Sequence, residues 1–474
     1  MGIEADGEVE SDVDVTMARK DSVPSGPSPR GRHARRRVPR RGLAAWNPDT
    51  RGHDALETVL AQNAIRVQEL LPIRYARMSA SPWTYFRGAA AVMAADLAST
   101  PHTGIEVQLC GDAHVLNFGL WATPERNLYF DLRDFDETLP GPFEWDLKRL
   151  ATSLVVLGRE NGVALPRSDR AVAAMTASYC RKMRAYANIP EIDIWYDRID
   201  VAGLLGHFSS GIARHAEKLI ETKAERRTSR GASRKFTETR DGRRRIREDP
   251  PFRTHVGDSQ IDLVQAVIAG YSESVDDHIW SLLSRFRVLD VVRQVVGVGS
   301  VGMRVYLALL EERRTRDPFF LQIKQAGPSV FEKFLEPSAY DNHGARVVNG
   351  QRMLQSATDM FVGWTSVPGR PEAGRGEQSM NFYVRQFRDM KVIPDGEIIG
   401  PYLTEFATAC GEVLARAHAR SGDAEAIADY LGRGDNVDRA MVEFAHAYAD
   451  QNERDHAQLV GAIEAGTVPC SVGW

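Results

Sequence analysis

The sequence predicts an α+β protein organised as two lobes. Three observations lead there. A polar loop sits between short strands in an otherwise helix-patterned stretch, a glycine-rich turn joins two β-rich runs far downstream, and helix-patterned sequence closes the chain. At 474 residues the chain is long enough to bury one large core or two.

The first lobe begins, on pattern, near Trp46. Leu56, Val59, Leu60, Ile65, Leu70 and Leu71 recur at helix-like spacing over 55–72, and Ser81-Pro82-Trp83 starts a helix that runs on through 89–97. Val107-Gln108-Leu109 then reads as a short strand feeding the loop Cys110-Gly111-Asp112-Ala113-His114-Val115-Leu116-Asn117. Residues 127–133 read as a second strand, with Leu128, Phe130 and Leu132 on one face, and they deliver Asp134-Phe135-Asp136. A hairpin layout would return Asp134 to the side of Asn117. Residues 144–157 and 169–187 read as helices of the same lobe.

Asp and Asn favour turns, so Asp112, Asn117 and Asp134 have a plain reading as loop-capping residues. The sharper reading is chemical. Phosphoryl transfer requires a carboxylate near the attacking hydroxyl, and an amide oxygen and a carboxylate to hold Mg²⁺ on the phosphates. The stretch resembles the catalytic loop of aminoglycoside phosphotransferases and choline kinases, protein-kinase-like folds whose pattern is H-G-D-x-H-x-x-N followed by D-x-D or D-x-E. That resemblance implies Asp112 as the catalytic aspartate, His114 as a loop-ordering member of the catalytic set, and Asn117 and Asp134 as metal ligands. It also implies Asp146, in Glu144-Trp145-Asp146-Leu147, as the acid that anchors the loop. Cys110 stands where that family has histidine. His418 resembles the end of the helix before a kinase catalytic loop; its plainer reading is a histidine on a helix surface.

A second set of motifs lies downstream. Gly297-Val298-Gly299-Ser300-Val301-Gly302 separates the β-rich runs 291–296 and 305–310. Glycines there allow a sharp turn and bring backbone N–H groups close to phosphates. Phe319-Phe320-Leu321-Gln322-Ile323-Lys324 alternates as a strand ending in lysine. The order strand, glycine loop, strand, lysine resembles a kinase nucleotide lobe, which implies Gly297, Gly299, Ser300 and Gly302 as the phosphate loop and Lys324 as the residue on the α/β-phosphates. No helix follows the glycines directly, which argues against a Rossmann turn. Glu332 and Glu336 lie in a helix-patterned stretch, and Glu332 is favoured as the glutamate that pairs with Lys324.

Catalytic-loop motifs therefore precede nucleotide-lobe motifs, the order of a circularly permuted kinase-like fold. The domain reading is a disordered charged tail over 1–45, a catalytic lobe over 46–215, and a basic hairpin or connector over 216–255. A β-rich nucleotide lobe over 256–395 and a C-terminal helical segment over 396–474, packing on the catalytic lobe, complete it. In the connector, Asp241-Gly242 marks a hairpin turn. From about residue 50 the chain also resembles a bacterial family of uncharacterised proteins, domain-of-unknown-function family 2252. Tyr85-Phe86-Arg87-Gly88-Ala89-Ala90, residues 110–119, residues 297–302 and Tyr383-Val384-Arg385-Gln386 carry that likeness, which implies no substrate.

Bulk properties narrow the classes further. The net charge of −4 favours no polyanionic partner, and the arginine cluster over 30–41 reads as a solvated tail rather than a nucleic-acid contact. Cys110, Cys180, Cys410 and Cys470 show neither zinc nor disulfide spacing, which points to a reducing cytoplasm. No apolar run approaches the roughly 20 residues of a membrane span, and no apolar stretch follows the N-terminal arginines as in a secretory signal. The expected activity is phosphate transfer from Mg²⁺–ATP to an unidentified small-molecule acceptor. Asp112-x-His114 leaves a metal-dependent phosphoesterase as the alternative, and nucleotide binding without catalysis is a third reading. Oligomeric state is not legible in the sequence.

Overall fold

A computed structural model describes residues 30–369 and 379–471. The fold is α+β, with one large helical core and a smaller core on each face of a six-stranded sheet. Helix Glu144–Glu160 runs through the middle of the large core, and every residue from Glu144 to Gly158 is buried. A helix that is apolar on most of its faces must be surrounded. Helices Leu165–Tyr186, Leu403–Ala419 and Asn436–Glu464 do this, so the C-terminal segment packs on the helical lobe.

Four short strands frame the loop motifs within this lobe. Strand β1 (Glu106–Leu109) pairs antiparallel with β4 (Leu139–Pro142), and β2 (Phe118–Ala122) pairs with β3 (Leu128–Leu132), Phe118 opposite Leu132. The second pairing is the hairpin read from the sequence. A small hairpin follows the helical region, β5 (Thr237–Arg240) with β6 (Arg243–Ile246). Asp241 and Gly242 both take positive φ, 51° and 71°, as a two-residue D-G turn requires.

The large sheet contains β7 (Arg253–His255), β8 (Phe286–Gln294), β9 (Val305–Glu312), β10 (Pro318–Ala326), β11 (Gly363–Val367) and β12 (Met380–Gln386). Its spatial order is β11-β12-β10-β9-β8-β7, and all neighbours are antiparallel. Alternation along the strands fixes the faces. Phe319, Leu321 and Ile323 of β10 join Tyr306, Ala308 and Leu310 of β9 under helix Asp258–Tyr271. Leu307, Leu309 and Phe320 face the other way and pack on Phe236, Ile246 and Phe387.

Several expectations are corrected here. Residues 30–45 are not a tail: helix Arg30–Arg37 and the turn Arg40–Ala44 bury Ala34, Val38 and Leu43 against helices Ala424–Leu431 and Asn436–Glu464. Small and apolar residues interrupt the arginines at the spacing of one helical face, and the guanidiniums reach back to carbonyls, as Arg40 does to Tyr430 at 2.6 Å. The tail reading for residues 1–29 lies outside the described residues. The stretch 216–255 is no separate connector, because Phe236 and Ile246 enter the sheet's second core and β7 forms the sheet's edge. The helix pattern at 55–72 breaks after Ala61, and Pro72 opens the next helix, Leu71–Met78. At Ala89, with φ −109° and ψ 31°, the expected single helix divides into Pro82–Gly88 and Ala90–Ala98.

Candidate functional site

The loop after β1 is built on one buried carboxylate. Asp146, on the first turn of helix Glu144–Glu160, accepts the N–H groups of Cys110 at 2.6 Å and Gly111 at 3.0 Å. His418 Nε2 lies 3.4 Å from the same carboxylate, and its Nδ1 is 2.9 Å from the Tyr179 hydroxyl. His418 is therefore fully buried at the loop's back, which corrects the surface reading. Gly111 has φ 85°, and a Cβ there would stand 2.3 Å from the Glu137 carbonyl oxygen, so no other residue fits. Cys110 donates its Sγ–H to the Asp134 carbonyl at 3.2 Å, tying the two motifs together.

Asp112 and Asn117 follow from that frame. Asn117 Nδ2 donates to the Asp112 carbonyl at 2.6 Å, and Arg133 Nε donates to Asn117 Oδ1 at 3.2 Å. Arg149 grips Asp112 Oδ1, with Nε at 2.9 Å and Nη2 at 2.7 Å, leaving Oδ2 available. Burial pushes the Asp112 carboxyl upward, against the pull of Arg149. His114 Nε2 is 3.9 Å from Asp112 Oδ2, beyond hydrogen-bond range. Burial, reinforced by Arg87, Arg149 and Arg133, holds the His114 imidazole well below its ordinary range and hence neutral. Its carbonyl accepts the Asn117 N–H at 2.7 Å, so it orders the loop through its backbone.

Lys324 meets the second motif across the lobes. Its Nζ lies 2.6 Å from Asp136 Oδ2 and 3.8 Å from Asp134 Oδ1. Asp136 Oδ1 also accepts the Tyr383 hydroxyl at 2.6 Å, from the β12 residue paired with Lys324. Burial opposes ionisation of Asp136, but Lys324 and these hydrogen bonds outweigh it and hold the carboxyl below its usual range. Burial likewise disfavours the Lys324 cation, and Asp136 with its neighbours reverses that.

Glu332, expected as the lysine's partner, is corrected. It lies on the short 3₁₀ turn Val330–Lys333, where it accepts the Ser329 N–H at 2.9 Å. Its remaining neighbours are Arg346 at 3.6 Å and His343 at 3.7 Å. Glu336 lies in no helix. The helix that follows, His343–Leu354, carries no acid and presents Arg346 instead. That buried guanidinium donates to the carbonyls of Thr138, Asp136 and Gly327 at 2.7–2.8 Å, stapling the end of β10 to the Asp136 segment.

One cavity of about 1120 Å³ collects these groups. Asp112, His114, Asn117, Asp134, Lys324 and Glu332 line it, with Gly297, Gly299 and Ser300 from the glycine loop. Gly302 sits behind the lining, its φ of 92° turning its carbonyl onto the Val67 N–H at 2.7 Å. Arg66 donates to the carbonyls of Gly299, at 2.8 Å, and Val301, while Arg77 donates to that of Gly297. With the loop's carbonyls engaged on that side, the N–H groups of Gly297, Val298, Gly299 and Ser300 find no acceptor among the described residues. Such a run of unpaired amides suits an anion.

A model for the family described as an uncharacterized protein conserved in bacteria (DUF2252) matches residues 66–462. The chain belongs to that family. No curated protein and no solved structure matches the chain. Every site residue named above falls inside the family segment.

The donor set tests what metal the site suits. Among the described residues, no three His, Cys, Asp or Glu side chains gather to cage a metal by themselves. Mg²⁺ ordinarily uses one or two carboxylates and completes its shell with waters and phosphates. Asp134 Oδ1 fits that use, being buried with no hydrogen-bond donor. Asn117 fits it once Arg133 leaves its amide oxygen. Sequence reasoning missed Asp136 as the lysine's partner and missed Arg66, Arg133, Arg149 and Arg346. The first stood in view as the end of the D-x-D pattern; the arginines carry no spacing signal, since each arrives from a different element.

Proposed function

We propose that the chain is a Mg²⁺-dependent phosphotransferase that uses ATP and a small hydroxylated or aminated acceptor, on a kinase-like fold whose catalytic-loop motifs come first. The observation that carries this reading is the convergence of Lys324 on the Asp134-Phe135-Asp136 segment across a cavity walled by the glycine loop. A lysine, a set of unpaired loop amides and a carboxylate oxygen with no hydrogen-bond donor form a cradle for a metal-bound polyphosphate.

Each residue then has a task. Mg²⁺ at Asp134, joined by Asn117, would neutralise phosphate charge. Lys324 exchanges Asp136 for phosphate oxygens, and the loop amides donate to them. Asp112, with Oδ1 fixed by Arg149, turns Oδ2 toward the acceptor hydroxyl, orients it and takes its proton. Asp146 and His418 keep the loop rigid from behind. A metal-dependent phosphoesterase finds less support. Two-metal sites draw on several clustered ligands, whereas His114 is buried, neutral and at 3.9 Å from its nearest carboxylate.

One observation favours a second reading, nucleotide binding without transfer: Arg149 already neutralises Asp112. Incubation with Mg²⁺–ATP and a broad panel of hydroxylated and aminated metabolites separates the two. Asp112-dependent ADP release supports transfer. ATP binding with no Asp112-dependent turnover supports the binding module, and Mn²⁺-dependent phosphoester hydrolysis without nucleotide binding supports the phosphoesterase.

A further inference from the structure

The cavity contains a cation that the nucleotide reading leaves unused. Three arginines line it, Arg66, Arg87 and Arg133. Arg66 is spent on glycine-loop carbonyls, and Arg133 donates through Nε alone, to the Asn117 oxygen that it would yield to a metal. Arg87, in the last turn of helix Pro82–Gly88, donates to no acceptor among the described residues, and its buried Nε is orphaned. Its guanidinium rests over Trp83, 5.9 Å from the ring centroid. Burial works against its charge, and the carboxylates that favour it are Asp112 and Asp134, one from each side of the proposed transfer. The other arginine at Asp112, Arg149, is fully committed to that carboxylate and to the Phe86 carbonyl.

Arg87 is half-buried: its Nη groups reach the open cavity, while its buried Nε, with no acceptor, costs free energy unless a ligand completes it. The planar donor fork matches phosphate oxygens. We propose that Arg87 forms the subsite for the phosphoryl group in transfer, a built-in arginine that binds its equatorial oxygens between Asp112 and the metal carboxylate Asp134. This rests on the phosphotransferase reading and goes beyond it by naming a catalytic residue. In the transfer the acceptor oxygen bonds to phosphorus, the bond from phosphorus to the departing ADP oxygen breaks, and the hydroxyl proton passes to Asp112. Arg87 exchanges no proton or electron pair; it supplies donors and charge where the three phosphoryl oxygens spread their charge, the role for which such arginines matter most.

The test is isothermal titration of Mg²⁺–ADP, with and without aluminium fluoride as the phosphoryl mimic, into the wild type, Arg87→Lys and Arg87→Ala. Transition-state mimics bind roughly 10²-fold or more tighter than ground-state ligands. Wild type should show that tightening when fluoride is added, Arg87→Ala should lose it, and Arg87→Lys should keep only part of it. Mg²⁺–ADP alone should bind all three within about threefold, since its phosphates lie with Lys324 and the glycine loop. Equal tightening in all three overturns the proposal. So does loss of plain Mg²⁺–ADP binding in both variants with lowered melting temperatures, which marks a scaffold role. If wild type binds no Mg²⁺–ADP, the phosphotransferase reading itself fails and Arg87 falls with it. That outcome is distinct, because it appears before any variant is compared.

Discussion

Lys324 and Asp136 are 188 positions apart in the chain and 2.6 Å apart in the fold. The contact joins the end of β10 to the segment after β3, and it occupies the lysine with a carboxylate where a nucleotide-binding lysine would meet phosphate. The pair fastens the end of β10 to the Asp136 segment, and on the proposed reading it holds a charge for exchange with phosphate.

Breaking that pair should therefore have two separable effects. Lys324→Met leaves Asp136 partly buried without its counter-charge, and Asp136→Asn leaves the more deeply buried Lys324 with only Asp134, 3.8 Å away. Each single change should lower unfolding free energy by about 1–3 kcal/mol, below the full cost of a broken buried pair because Asp136 keeps some solvent contact. The double change should cost less than the sum of the two. Chemical denaturation of all four proteins measures this coupling, and strict additivity would show that the contact contributes nothing.

Asp146 and Asp134 separate scaffold from site. Asp146→Ala removes two charge-assisted N–H bonds from a buried loop and should cost about 3 kcal/mol of stability. Asp134→Ala removes an oxygen that has no donor, so the apo melting temperature should barely move while Mg²⁺-dependent nucleotide binding disappears. Thermal melts with and without Mg²⁺–ATP read both. Equal destabilisation of the apo proteins would make Asp134 structural.

The two motifs were legible because each is local: a loop of eight residues, a D-x-D pattern and a glycine turn before a strand all sit in continuous sequence. The β2–β3 hairpin and strands β8 to β10 were legible for the same reason, through period-two alternation and turn residues. What was not legible is what arrives from elsewhere. Arg66, Arg149 and Arg346 reach the site from three helical regions, and a lone arginine has no periodicity to betray its partner. Glu332 misled because proximity in sequence to Lys324 resembled proximity in space. The helix at 30–37 was hidden by charge: eight residues rich in arginine look solvated until helix Ala424–Leu431 supplies the surface on which Ala34 packs.

A pH dependence follows from Glu137, which lines the cavity beside Asp136. Burial pushes its carboxyl up to about 7, with Asp136 and Asp112 adding to the shift and the Val330 N–H and Arg346 opposing it. Between the ordinary value near 4.5 and about 7, the folded state holds a proton that the unfolded chain has released. Its contribution to stability is therefore lost as pH rises through that window. Glu137→Gln should match wild type in melting temperature near pH 5 and exceed it near pH 8. An unchanged difference at both pH values would remove Glu137 from the explanation.

On the proposed phosphotransferase reading, Asp112 faces the acceptor and not the nucleotide. Asp112→Asn should keep Mg²⁺–ATP affinity within a few-fold and reduce turnover by roughly 10²–10⁴, the usual size of a lost general acid–base group. Asparagine retains an oxygen for Arg149, so the fold should persist. Direct binding and initial rates on the same samples decide this, and a parallel loss of both would place Asp112 at the nucleotide.

Calorimetric titration of ATP into the purified full-length protein, with and without Mg²⁺, bears on all of this at once. The geometry predicts saturable binding that strengthens when Mg²⁺ is present, loses that strengthening in Asp134→Ala, and weakens in Lys324→Met. Absence of nucleotide binding in the wild type, or binding indifferent to Mg²⁺, Asp134 and Lys324 alike, would contradict it.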